Sequence, residues 1–346
     1  MALGLRLGKN TAYLITDEAD ILYFSGVKGV EGTLCLSEEK IYFTDARYFH
    51  ELKALLSSTD VIPLLYNGVE DIKNYLLDKG VKTLYLDYDK TTVSTFKTYK
   101  QFGIKIKDGG QNIAKARSIK SANELSLIKK SCGVIEKAVK RAIDNLAVGK
   151  TELEVADEIE KEIIRLGGDG VSFDTIVAFG KNSAIPHHVP SNDQLEKDTV
   201  VLIDAGAKYK GYSSDITRTV YFGNNPSDEF KSVYNAVYTS NQLAIDNIKC
   251  GTTFKDADKI ARDYLDSVGY GKYFTHSLGH GLGLEIHEYP RLSPKGVGKL
   301  KNGTVFTIEP GVYLNGEFGV RIEDTVVLKN GKVQRLFTDS KELLVK

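Results

Sequence analysis

The sequence predicts a two-domain protein that opens with a mixed α/β domain. Three observations carry this reading. At 346 residues the chain is long for a single hydrophobic core. Its first third alternates short strand-like runs with segments of helical period. A polar, glycine-containing stretch from Gly109 to Lys120 then leads into Ser121-Ala-Asn-Glu124, a capping box that opens a long helix. This places the domains at 1–115 and 116–346.

In the first domain, β-branched and aromatic runs predict strands at Ala12–Thr16, Ile21–Phe24, Thr33–Leu36, Ile41–Phe43, Asp60–Leu65, Thr83–Leu86 and Ile104–Lys107. Helical spacing covers Tyr48–Leu56, Val69–Leu77 and Val93–Phe102. His50 is its one histidine, and no carboxylate cluster accompanies it, so a structural or specificity role is expected. In the second domain the helix from Ser121 is followed by one over Thr151–Leu166, again with a capping box, and by a strand at Phe173–Phe179. Further helices are expected at Ser227–Ile245 and Phe254–Val268.

Two hairpins stand out. Val200–Asp204 is an aliphatic run ending in a carboxylate, and a reversal near Tyr209–Lys210 brings back Asp215. A two-residue turn there sets Asp204 opposite Asp215, with Cβ atoms about 5 Å apart. Carboxylates that close repel unless a proton or cation lies between them. The second hairpin runs from Thr304–Glu309 through the turn signal Asn315-Gly316 to Val320–Leu328. A strict two-residue turn pairs Glu309 with Ile322, so a bulge at Pro310-Gly311 is expected to bring Glu309 and Glu323 onto one face.

Composition excludes several function classes. Lys+Arg and Asp+Glu balance at 46 each, which leaves no electrostatic footprint for nucleic acid or an anionic membrane. Cys35, Cys132 and Cys250 are scattered and lack metal-ligand spacing, as expected of reduced thiols. Met1–Tyr13 carries no apolar core of a leader, and no run reaches the roughly 18 apolar residues of a membrane span. A cytoplasmic protein is expected.

Asp204, Asp215, His280, Glu309 and Glu323 together form a set too acidic to bury without cations, each uncompensated ion costing several kcal/mol. Oxygen donors with one imidazole suit Mn(II), Co(II) or Zn(II). Four carboxylates balance two divalent ions, which at roughly 3.5–4 Å apart acidify a water and polarise a carbonyl. The remaining histidines and Arg321 are then candidates to stabilise an oxyanion or orient substrate. Taken singly, each of these residues has an ordinary explanation as a hairpin or loop charge, and His188 reads as structural or solvent-facing. Their order and spacing carry the reading.

That order is Asp204-Ala-Gly with Ser214-Asp215-Ile-Thr-Arg-Thr, Gly279-His280-Gly-Leu-Gly-Leu-Glu-Ile-His287-Glu, Thr307-Ile-Glu309-Pro-Gly-Val-Tyr and Gly319-Val-Arg-Ile-Glu323-Asp. It resembles the proline-specific metallopeptidases, the family of Xaa-Pro dipeptidase (prolidase) and Xaa-Pro aminopeptidase. Arg117-Ser-Ile-Lys-Ser-Ala-Asn-Glu-Leu resembles the start of its catalytic domain. The resemblance implies a pseudo-symmetric α+β "pita-bread" fold around two divalent ions, Mn(II) or Co(II) foremost, with Zn(II) also compatible. By the same resemblance Asp204 chelates one ion, Asp215 and Glu323 bridge both, and His280 and Glu309 complete the other. His187 and His287 line the substrate pocket, Arg321 sits beside the metals, and Arg291 meets the carboxylate of a C-terminal proline; His276, read from the residues alone, is expected to bind substrate, to back the site or to hold up the glycine-rich loop. The implied substrates are small peptides with proline second, the favoured reaction is that of the dipeptidase, and the expected assembly is a homodimer. Members of this fold that act without the metals, or only bind, lack these ligands, whereas this chain keeps all five. Methionine aminopeptidases share the metal pattern but usually lack a first domain of this kind.

Overall fold

The computed structural model describes residue 5 and residues 7–346. Residues 1–4 and 6 of the Met1–Tyr13 segment considered above for a leader lie outside the described residues. The chain divides into two compact units between Arg117 and Ser118. No helix among the described residues is long and apolar enough to cross a membrane.

The first unit contains β1 (Thr11–Ile15), α1 (Glu18–Ser25), β2 (Thr33–Leu36), β3 (Lys40–Thr44), α2 (Phe49–Leu55), β4 (Val61–Leu65), α3 (Val69–Asp78), β5 (Thr83–Leu86), α4 (Val93–Lys100), β6 (Lys105–Asp108) and α5 (Gly110–Ser118). Its sheet runs β4-β3-β2-β1-β5-β6, with β1 to β3 antiparallel and the outer pairs parallel. Alternate residues of the middle strands feed two cores, Tyr13, Leu34 and Tyr42 one, Leu14, Cys35 and Phe43 the other. A sheet covered on both faces explains why these strands read as continuous apolar runs. One expectation fails here. Ile21–Phe24 lies within α1, because the Asp17 carboxylate caps the Asp20 N–H at 3.1 Å and Gly26, at φ 74°, ends the helix. The polar stretch after Gly109 is itself mostly helical, as α5.

The second unit begins with α6 (Ala122–Asp144) and α7 (Glu152–Arg165), whose Ser121 and Thr151 capping boxes are both formed. Then come β7 (Gly170–Val171), β8 (Ile176–Phe179), β9 (Thr199–Ala205), β10 (Ala207–Tyr209), β11 (Tyr212–Ser213) and β12 (Ile216–Phe222). The second half repeats the scheme with α8 (Asp228–Asn247), α9 (Phe254–Ser267), β13 (Gly279–Gly281), β14 (Glu288–Leu292), β15 (Val305–Ile308), β16 (Gly311–Leu314), β17 (Phe318–Arg321), β18 (Glu323–Lys329) and β19 (Lys332–Arg335). The large antiparallel sheet is ordered β14-β13-β15-β18-β12-β9-β8, with β19 on β18. In each half one hairpin tip leaves this sheet, β10–β11 and β16–β17. The molecule is thus an α/β domain followed by an α+β domain of the pita-bread type, with pseudo-two-fold repetition.

The helix pairs cover one face of the large sheet. Ile203, Ala205 and Ile216 pack with α6 and α7, while Phe306, Ile308, Val326 and Leu328 pack with α8 and α9. By the two-residue period of a strand, Asp204, Asp215, Thr217, Thr307, Glu309, Glu323 and Thr325 are turned to the other face.

Both hairpins correct the expected register. The first reverses at Lys210-Gly211, both left-handed (φ 49° and 82°), as a two-residue primed turn requires. Asp204 therefore pairs with Thr217, and Asp215 lies one pleat further along on the same face instead of directly opposite. In the second, β16 and β17 pair Leu314 with Phe318 across a three-residue loop centred on Gly316 (φ 81°). The register of Thr307↔Thr325 and Ile308↔Asp324 then carries unbroken to Gly311↔Arg321, so Glu309 falls opposite Glu323. No bulge at Pro310-Gly311 is needed, because the longer loop supplies the extra residue.

Candidate metal centre

The pairings Asp204↔Thr217 and Thr217↔Glu323 form one row across β9, β12 and β18, which Glu309 extends. His280 joins from β13, packed between β14 and β15. The flanking glycines make that strand fit: a Cβ on Gly279 would lie 2.0 Å from the Thr307 carbonyl oxygen, and one on Gly281 2.5 Å from that of Tyr289. Ligand atoms of Asp215, His280 and Glu323 all lie within 4.8 Å of one another. His280 Nε2 is 3.4 Å from Glu309 Oε1 and 3.5 Å from Asp215 Oδ2.

Two threonines aim the glutamates. Thr217 Oγ1 accepts from Arg321 Nε at 3.1 Å and donates to Glu323 Oε2 at 2.6 Å. Thr307 Oγ1 accepts from the His280 N–H and donates to Glu309 Oε1, both at 3.0 Å. The His280 ring has its Nδ1 3.1 Å from the Gly281 carbonyl. A carbonyl only accepts, so Nδ1 carries the proton and Nε2 presents a lone pair to the carboxylates.

Five buried side-chain atoms among the described residues lack a partner, and three of them are carboxylate oxygens here: Asp204 Oδ1, Asp215 Oδ1 and Glu323 Oε1. Burial, and then the charges of neighbouring carboxylates, push Asp215 and Glu323 well above the usual carboxylate range. Glu309 rises to about 8, mainly through burial. Burial holds His280 down at about 4, so its imidazole is neutral. Unpartnered oxygens beside a neutral imidazole with a free lone pair are the donor set of a divalent-cation site.

The other expected residues surround this cluster. Arg321 is buried and committed to it: Nη2 pairs with Asp204 Oδ2 and Nη1 donates to Tyr313 Oη, both at 2.7 Å. His276 has Nδ1 2.9 Å from the Ser277 carbonyl and Nε2 2.8 Å from Tyr313 Oη. Arg321, Tyr313 and His276 therefore form a donor chain, and burial holds His276 neutral, down to about 3. His287 is exposed at its outer side, its ring 4.4 Å from that of His280, and partial desolvation of its imidazole followed by the Arg291 charge lowers its pKa. Arg291 pairs with His280 across β13–β14 and donates Nε to Ser277 Oγ at 3.1 Å. His187, exposed in the loop after β8, lies near enough to act electrostatically on both His276 and His287. The structure brings all ten residues to one region.

Sequence reading missed Thr217, Thr307, Tyr313 and Glu152. The threonines had a signal, since each stands two residues from a carboxylate in a strand. Glu152 had none. It is fully buried, and its Oε1 accepts from the Phe179 N–H at 2.8 Å and from Asn182 Nδ2 at 2.9 Å. Its Oε2 accepts from the Ser191 N–H at 2.9 Å and lies 2.7 Å from His188 Nε2. One carboxylate thus staples both ends of the loop that carries His187. Glu152→Gln should lower kcat/KM by about 10–100-fold with bound metal unchanged, as supporting residues usually do. Kinetics run beside metal analysis checks this, and a matching loss of metal would refute it.

Residues 126–330 match the family model for metallopeptidase family M24, and residues 8–119 match that for the Creatinase/Prolidase N-terminal domain. The chain is 38% identical to the Xaa-Pro dipeptidase of Pyrococcus furiosus over 332 residues, which is 96% of this chain and 88% of that one. Among solved structures, the Xaa-Pro dipeptidase from Bacillus anthracis superposes with a TM-score of 0.92 at 33% identity, covering 97% of this chain and 95% of that one. The X-Pro aminopeptidase from Thermotoga maritima gives a TM-score of 0.88 at 36% identity and covers 97% of both.

Proposed function

The chain belongs to metallopeptidase family M24 and is a metal-dependent hydrolase, and on that premise we propose that it is an Xaa-Pro dipeptidase. The observation that carries the reading is the trio of unpartnered carboxylate oxygens on Asp204, Asp215 and Glu323 around the His280 lone pair. These residues and Glu309 would hold two divalent ions, Mn(II) or Co(II) foremost, with Zn(II) compatible. When bound, the ions supply Lewis acidity that polarises the scissile carbonyl and acidifies water.

The protein's own residues do the rest. Arg321 offsets the Asp204 charge and, through Tyr313, fixes the orientation of His276. His187 and His287 steady the oxygen that gains charge as the carbonyl is attacked. Arg291 takes the carboxylate of a C-terminal proline, which limits substrates to dipeptides. The bond before proline has no N–H, so a pocket that asks for no donor there admits it. Hydrolysis adds the water oxygen to the carbonyl carbon and breaks that carbon's bond to the proline nitrogen, which takes up a proton from the water. A cytoplasmic homodimer acting on small peptides completes the proposal.

The test is turnover of Xaa-Pro, Xaa-Pro-Yaa and Met-Yaa peptides by protein stripped with chelator and reloaded with Mn(II), Co(II) or Zn(II). Xaa-Pro should be cleaved best, and only after reloading; undiminished turnover in chelator would refute the proposal. The second reading, an Xaa-Pro aminopeptidase, is favoured by the similarity to the Thermotoga maritima structure and would show as preference for Xaa-Pro-Yaa. Arg291→Ala should raise KM for the dipeptide far more than for the tripeptide, and equal effects on both would remove Arg291 from substrate selection.

A further inference from the structure

Ile308 and Ile322 immediately precede Glu309 and Glu323, and their carbonyls share one donor. Asn241 on α8 is fully buried, and its Nδ2 donates to Ile308 O at 2.9 Å and to Ile322 O at 3.2 Å. Its Oδ1 accepts from Lys341 Nζ at 2.5 Å, and that ammonium lies 3.3 Å from Asp324 Oδ2. Only one orientation of the amide meets both carbonyls and the ammonium. The contact falls where the ladder passes from the large sheet (Ile308↔Asp324) to the β16–β17 ribbon (Gly311↔Arg321).

We infer that Asn241 is a positioning residue for the metal centre: its amide clasps the two strands behind Glu309 and Glu323 and sets the separation of their carboxylates. Lys341 keeps the amide turned the right way. The inference rests on reading that cluster as the metal site. A leucine at 241 preserves volume but removes the shared donor from two buried carbonyls and one acceptor from the Lys341 ammonium. The strands are then free to part where the two glutamates must converge.

The test is calorimetric titration of the metal-stripped full-length protein with Mn(II), together with visible spectra of Co(II)-loaded samples. Asn241→Leu is compared with Ser240→Ala, a buried neighbour on α8 whose hydroxyl donates to Ala261 O at 3.1 Å and not to Ile308 O or Ile322 O. Asn241→Leu should bind at least one ion roughly 10–100-fold more weakly and alter the Co(II) spectrum. Ser240→Ala should lose melting temperature yet titrate as the wild type does. Wild-type affinity in Asn241→Leu, or an equal loss in Ser240→Ala, would overturn the inference. If Asn241→Leu does not fold, Lys341→Met replaces it: weaker Mn(II) binding supports the clasp, and unchanged binding defeats it. A wild-type protein that takes up no ion would instead defeat the metal reading itself, and the inference with it.

Discussion

Glu323→Gln should leave the fold intact, abolish retention of two divalent ions and lower kcat/KM by roughly a thousandfold or more. The size follows from the several kcal/mol of charge stabilisation that a metal centre supplies, at about 1.4 kcal/mol per tenfold. Glu323 is buried, with Oε2 held by Thr217 and Oε1 unpartnered among Asp215, His280 and Glu309. Glutamine keeps the shape but removes a charge, and it offers an amide where an ion needs an oxygen. The metal-free variant should melt no lower than the metal-free wild type, because one of several mutually repelling carboxylates is gone. Elemental analysis after gel filtration, with turnover and melting curves, checks the set. Full metal content in the variant would remove Glu323 from the site.

Metal-free protein should lose stability as pH rises from about 4.5 to about 8, against the usual trend for carboxylates. Glu309 titrates near 8 when folded and near the ordinary glutamate value when unfolded. Between those values the folded state binds the extra proton, so the derivative of unfolding free energy with pH is negative. Stability from this group is complete below the unfolded value and is lost by the time the folded group ionises. Asp215 and Glu323 are shifted the same way and reinforce the effect. Divalent ions should reverse it by taking the protons' place, so stabilisation by Mn(II) should be larger at pH 8 than at pH 5.5. Melting temperatures in chelator and in Mn(II) across that range decide the matter. A flat or rising metal-free profile would show that the carboxyls are solvated.

Much of this site could be read from the chain, and the failures have specific causes. The capping boxes at Ser121 and Thr151 form as their spacing requires. The two hairpins were visible in alternation, but their registers were not, since a register depends on which residues take the turn. Lys210 occupies a left-handed position that few non-glycine residues adopt. The second loop takes in Glu317 as well as Asn315-Gly316. The errors nevertheless left every carboxylate on its proper face, because the first displacement was by a whole pleat and the second supplied the residue that a bulge had been invoked to provide. Ile21–Phe24 failed because local caps outweigh β-propensity in so short a run. Arg321 was expected near the ions, but no pattern in sequence announces that its guanidinium binds Asp204 and Tyr313. Glu152 and Asn241 were invisible for a related reason: each acts on backbone groups far along the chain, and periodicity is blind to that.

The candidate ligands are shared among strands from both halves of the catalytic unit, none of them a chain end. Fraying at a terminus therefore leaves that set assembled; it comes apart only when β9, β12 and β18 separate. Amide exchange in those three strands should accordingly be among the slowest in the unit, following global opening and not the fraying of the ends.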